Sequence, residues 1–247
     1  MGDNGNLQGF ILPAPGFSDE EALLPDVEGD GPNQLRARFQ GRDIEVYIPY
    51  FELDGPAGQQ LRIDLEWDGV RLESYDLTFP LDPKDFPIRT ILAATKTNDK
   101  GTYTLTYSVF TAGGTFKSDP LLVSVDNIAP NARNPGNKAT LPEKVDSEGV
   151  TSEYMEEFGH VLITVSHDYG DASIGDVVSA YLAKSLAEWV HIGDFVRDDL
   201  NKLIEFKLTE TMIGNMRGSA VIIYTLADRK GNRGPCSEPK KIEIKLP

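Results

Sequence analysis

Three histidines and one cysteine limit the chemistry open to this 247-residue chain. Cys236 has no histidine near it in sequence, so nothing marks it as an activated nucleophile. A single cysteine also excludes an intrachain disulfide and a cysteine-based zinc cluster. His160 and His167 are spaced to fall on opposite faces of a strand. Asp168 and Asp171 in "HDYGD" lie beside the second, where they read equally well as turn formers. Carboxylates are everywhere, and no pair stands out as acid and base. Neither a Gly-x-Ser-x-Gly elbow, a phosphate loop, a dinucleotide fingerprint nor a His-Glu-x-x-His motif is present, so the expectation is a protein that is not an enzyme.

Two sets of residues remain that suit binding. Asp126, Asn127 and Asn131 cluster in the segment "DNIAPNARNPGNKATLPEK" and offer oxygen ligands for calcium, with solvated turns as the competing reading. In "VYIPYF", Tyr47 is out of phase with the apolar Ile44, Val46 and Ile48, Tyr50 and Phe51 follow Pro49, and Trp67 precedes the tight Asp68-Gly69. Exposed aromatics of this kind stack on sugars or anchor a protein partner; alternatively they cover a sheet edge or a neighbouring domain. Charge narrows the partners. With 39 Asp and Glu against 24 Lys and Arg, a net charge of -15 repels phosphate backbones and anionic lipid surfaces, so neither nucleic acid nor membrane insertion is expected. No apolar run approaches the ~20 residues that span a bilayer, and "MGDNGNLQGFILPAPG" lacks the basic start of a signal peptide.

What would position these residues is a repeat. "GSAVIIYTLADRKGN" from Gly218 answers "GTYTLTYSVFTAGG" from Gly101 at an offset of 117, the difference between the two glycine numbers, which Tyr107 and Tyr224 share. The same frame puts Ile11 and Pro13 on Ile128 and Pro130, Leu24-Pro25 on Leu141-Pro142, and Ile44, Val46 and Ile48 on Val161, Ile163 and Val165. Further on, the frame slips by two and aligns "SDP" at Ser118 with "SEP" at Ser237. The chain reads as a tandem duplication: a tail at 1–10, one repeat over 11–126 and a second over 127–247. Leu246-Pro247 matches the start of the repeats, which suggests a piece of a longer array.

Each repeat is rich in period-two segments: "IEVYIPY", "LRIDLEW", "YTLTYSV" and "LLVSV", then "VLITV", "DVVSAYL", "IEFKL", "AVIIYTL" and "KIEIKL". Short strands with one apolar face bury it by pairing two sheets, so the fold class is all-β, two antiparallel sandwiches of about seven strands each. Helical periodicity is nearly absent. "SLAEWVHIGDF", Ser185 to Phe195, fits least well and is read as a strand with Trp189 inward, while "DEEALL" at Asp19 reads as one helical turn. Tyr107 and Tyr224 lie in phase with the apolar face, their rings buried and their hydroxyls within reach of a neighbouring corner's backbone.

Tyr224-Thr-Leu-Ala-Asp-Arg-Lys-Gly-Asn, followed by "SEP" and a last strand, resembles the closing hairpin of the immunoglobulin-like repeats of large bacterial surface and adhesin proteins. The first repeat departs from that pattern, with Thr111 and Thr115 where Asp and Asn belong. The resemblance implies tandem immunoglobulin-like domains serving as a stalk, spacer or adhesive surface within a larger surface or secreted protein, at the cell surface or outside the cell if exported and in the cytoplasm if not. It also implies calcium at the junctions between repeats. The alternatives are a glycan- or protein-binding module using Tyr47, Tyr50, Phe51 and Trp67, or an accessory region of a secreted toxin or injection-system protein.

Overall fold

The computed structural model describes residues 12–27, 31–185 and 188–247. The tail at 1–10 and Ile11 lie outside the described residues, as do 186 and 187 within "SLAEWVHIGDF". The chain divides into two units, Met1–Asn127 and Ile128–Pro247.

The first unit contains β1 (Gly16–Phe17), β2 (Ile44–Ile48), β3 (Gln60–Trp67), β4 (Val70–Thr78), β5 (Ile88–Leu92), β6 (Gly101–Thr111), β7 (Gly114–Lys117) and β8 (Leu121–Val125). One sheet has the order β1-β2-β5; the other runs β4-β3-β6-β7, with β8 pairing the other half of β6. All pairings are antiparallel. Alternation dictates the inner faces. Ile44, Val46, Ile48 and Leu92 of the first sheet meet Leu61, Ile63, Leu65, Trp67, Leu105, Tyr107 and Val109 of the second in one buried cluster. Each fully buried aliphatic or aromatic side chain contributes about 1.5–3 kcal/mol of transfer free energy, which is what holds the two sheets face to face.

The second unit repeats this plan with β9 (Val150–Thr151), β10 (His160–Val165), β11 (Val177–Ser185), β12 (Glu188–Val196), β13 (Ile204–Thr209), β14 (Gly218–Ala227), β15 (Arg233–Cys236) and β16 (Lys240–Lys245). The order β12-β11-β14, with β15 and β16 along the two halves of β14, reproduces β4-β3-β6 with β7 and β8, and β10-β13 reproduces β2-β5. The fold is therefore all-β, two tandem immunoglobulin-like sandwiches. Among the described residues α-helix enters as α1 (Glu143–Glu148), α2 (Ser152–Phe158) and α3 (Glu210–Ile213), beside three short 3-10 turns. The Thr151 and Thr209 hydroxyls cap α2 and α3, and Gly159 ends α2 at φ 70°. "DEEALL" forms a turn, not a helix: the Asp19 carboxylate accepts the Glu21 N–H at 2.8 Å.

The repeated phrase has a local cause. In each unit the serine of "S-x-P" accepts the strand tyrosine's N–H at 3.0 Å: Ser118 Oγ from Tyr107, Ser237 Oγ from Tyr224. The serine N–H returns to the same tyrosine's carbonyl, at 2.9 and 2.8 Å. The frame slips by two because Thr111 and Gly114 close a two-residue turn, whereas Ala227 and Arg233 flank a longer one. That longer turn is tied by Asp228, whose carboxylate accepts both the backbone and side-chain N–H groups of Asn232 at 2.8 Å.

Two expectations fail here. Tyr107 is fully buried, yet its hydroxyl has no hydrogen-bond partner among the described residues. Its ring stacks on Phe51 at 5.8 Å instead of reaching a corner. Trp189 points outward, 42% exposed. The physical reason is a bulge: His191 pairs with Tyr181 but Gly193 with Ala180, so Ile192 is the extra residue and the alternation of β12 changes phase.

Candidate binding surfaces

The loop after β2 carries Tyr50 and Phe51 to one end of the first unit, where the β4–β5 connection and β7 also arrive. Phe79 lies against Gly55, where no Cβ could be accommodated, and this fixes the loop over the end of the core. Gly58 turns the chain at φ 83°, a conformation glycine adopts without penalty, and its N–H bonds Phe79 O at 2.9 Å. Phe86 then sits edge-on to both Tyr50 and Phe51 at 5.5 Å. What remains open is a groove of about 680 Å³. Tyr50, Glu52, Leu53 and Asp54 line it from the first loop, Pro80 and Leu81 from the second, and Phe116 from β7.

Of the four aromatics singled out in the sequence, the fold brings only Tyr50 to this groove, 39% exposed. Phe51 is buried beside it as a core residue between Phe86 and Tyr107. Tyr47 lies half-buried over Gly16, whose missing side chain makes room for the phenol ring. Trp67 is buried at the far end of β3, about 23 Å along the strand from its start, and stacks on Tyr103 at 5.3 Å.

The three oxygen-bearing residues considered for calcium are each engaged within their own unit. Asp126 pairs with Lys100 at 3.3 Å, and Asn127 donates to the carbonyl of Asn98. Asn131 uses Oδ1 to accept the Gly170 N–H at 3.3 Å and Nδ2 to reach the carbonyls of Asn134 and Pro135. Among the described residues, no three His, Cys, Asp or Glu side chains are grouped to hold a metal ion.

Sequence reasoning missed a buried polar cluster in the second unit. Arg197 N–H bonds Asp176 O at 2.9 Å and Gly175 N–H bonds Arg197 O at 2.8 Å, the same pair of bonds that Phe79 makes with Gln59 and Gly58. Arg197 thus occupies the place of Phe79. Its guanidinium bonds the carbonyls of His167 and Leu200 and lies 4.9 Å over the Tyr169 ring. The Tyr169 hydroxyl donates to Asp176 at 3.0 Å. Burial pushes the Asp176 carboxyl above its ordinary range, against the hydrogen bonds from Ser173 and Tyr169, and Asp228 adds to the rise. Nothing in "DFVRDDLN" signals this, because an arginine among aspartates reads as surface.

No family model matches the chain. No curated protein matches it either. Among solved structures, the FN1–FN3 domains of chicken contactin CNTN1 are similar over 96% of this chain and 69% of their own, at 13% identity and a TM-score of 0.41. The chicken interferon gamma receptor alpha chain is similar over 83% of this chain and 93% of its own, at 11% identity and a TM-score of 0.31.

Proposed function

We propose that the chain is a non-catalytic interaction module, carried by a larger bacterial surface or secreted protein, whose first unit holds a protein partner at its loop-end groove. The observation that supports this is the lining of the groove: the ring faces of Tyr50 and Phe116 beside the exposed carboxylates of Glu52 and Asp54. An arginine or lysine side chain matches it. The aliphatic stem lies on Leu53 and Leu81, and the cation takes ring faces and carboxylates together. A net charge of -15 draws a basic partner from a distance. The bacterial surface setting and the stalk or spacer role rest on the resemblance of the closing hairpins.

Titration of the labelled protein with the peptides Gly-Leu-Arg-Gly and Gly-Leu-Gln-Gly, followed by NMR, tests the reading. Saturable shifts at Tyr50, Asp54 and Phe116 with the arginine peptide alone are expected, lost in the Glu52→Gln/Asp54→Asn double variant. Equal response to both peptides, or none to either, removes the proposal.

A further inference from the structure

The outer face of the β11–β12 hairpin in the second unit carries a second, independent surface. Trp189 is exposed and meets the Tyr181 ring edge-on at 5.8 Å, and Tyr181 in turn touches His191 at 5.3 Å. Beside this row of rings runs a polar one. His191 Nε2 lies 2.9 Å from Asp194 Oδ1, and the Ser179 hydroxyl donates to the same carboxylate. Strict alternation would put His191 and Asp194 on opposite faces of β12, since they are three residues apart. The extra residue Ile192, buried in the core, is what turns both outward. A bulge that aligns an acid and an imidazole beside the exposed Trp189 and the half-buried Tyr181 builds more than a sheet face.

From this juxtaposition we infer that the hairpin is a carbohydrate-binding platform: a neutral oligosaccharide stacks the C–H face of one ring on Trp189 and runs along β12, about 13 Å, so that hydroxyls of its next units bond His191 and Asp194. Charge and desolvation select this occupant. The side chains of His191 and Asp194 are 49% and 51% exposed. An apolar protein surface pressed onto Trp189 would strip water from the Asp194 carboxylate and its imidazole partner and offer no hydrogen bond in return. Hydroxyl groups are donors and acceptors at once and replace the lost water bonds. Anionic ligands are disfavoured by the chain's net charge of -15. This site is separate from the groove of the first unit and does not depend on it.

The chain has two tryptophans, and Trp67 is buried, so fluorescence quenching by acrylamide reads Trp189 directly. The full chain is titrated with maltohexaose, cellohexaose, chitohexaose and galactohexaose. At least one should protect Trp189 from acrylamide in a saturable way. Trp189→Ala, checked for fold by circular dichroism, should abolish binding measured by calorimetry, and Asp194→Asn should weaken it about tenfold, as expected for loss of one charge-assisted hydrogen bond. The proposal is overturned if none of the four hexasaccharides binds at 10 mM, or if binding survives Trp189→Ala. Capture of a protein partner on this face, with no sugar bound, also overturns it.

Discussion

Replacing Tyr107 by phenylalanine should stabilise the first unit, although it deletes a hydroxyl from a repeated strand motif. Tyr107 is 0% exposed, and its hydroxyl has no hydrogen-bond partner among the described residues. Burying such a group costs roughly 1–3 kcal/mol, whereas losing one oxygen from a packed core forfeits only a few tenths in cavity energy. The ring keeps its stack on Phe51, so the net gain is about 1–2 kcal/mol, seen in scanning calorimetry as a rise of roughly 3–4 °C per kcal/mol in that unit's transition. A second readout comes from alkaline pH. Burial raises the Tyr107 phenol, so below the unfolded value near 10 the tyrosine imposes no pH dependence, and above it the unfolded chain ionises first. Wild-type stability then falls as pH rises, by about 1.4 kcal/mol per pH unit for this group until the folded phenol itself ionises, and Tyr107→Phe escapes that loss. Tyr224, whose phenol is pushed up to about 12 by burial, contributes the same loss from pH 10 to 12 in the second unit. A drop of 1 kcal/mol or more at pH 7 on Tyr107→Phe would show that the hydroxyl is hydrogen-bonded after all and refute the reasoning.

Ser237→Ala removes the hydroxyl that accepts the buried Tyr224 N–H, and should cost the second unit about 1–2 kcal/mol in urea unfolding; Ser118→Ala should do the same to the first. Gly149→Ala places a Cβ 2.7 Å from the Glu243 carbonyl at φ 83°, so a loss of about 2–3 kcal/mol is expected by the same assay. Arg197→Phe imitates the first unit, but it leaves the His167 and Leu200 carbonyls unpaired and the Asp176 carboxylate without a nearby cation. A loss of about 3–5 kcal/mol is expected, and a neutral result would show the second unit's end to be as tolerant of an apolar plug as the first.

The strands legible in the sequence were those with one clean buried face. β2 and β3 alternate apolar and polar residues along their length, and the likeness of the two units is readable because the serine–tyrosine latch needs the same residues in both. β4 is not legible in the sequence because a register shift opposite Leu65 and Glu66 breaks its period, and as an edge strand it buries none of its residues fully. Trp189 was misplaced for the same reason, a bulge, which a period-two reading cannot see. Tyr50 reaches the groove although it falls in phase with Val46 and Ile48, because β2 ends at Ile48 and the chain leaves the sheet at Pro49. Glu52, Leu81 and Phe116 were not found, since they belong to three segments that only the fold brings together. Short helices α2 and α3 carried a capping threonine each, and α2 a terminal glycine, but they are too brief for periodicity to register.

One equivalent position ties the two surfaces together. Where the first unit places Phe79, it completes an apolar core under the loop end, and the loops above are held by Gly55 and the aromatic rings, leaving their polar and aromatic side chains to line a groove. Where the second unit places Arg197, the loops themselves are recruited: the His167 and Leu200 carbonyls accept from the guanidinium, Tyr169 lies under it, and the Tyr169 hydroxyl bonds Asp176. A loop end consumed in satisfying a buried charge has little left to offer a ligand. In the second unit the exposed Trp189 lies on the sheet, and the Ile192 bulge keeps His191 and Asp194 on the same outer face. The two units share one sandwich plan and differ at its loop end, where a buried phenylalanine in one is a buried arginine in the other.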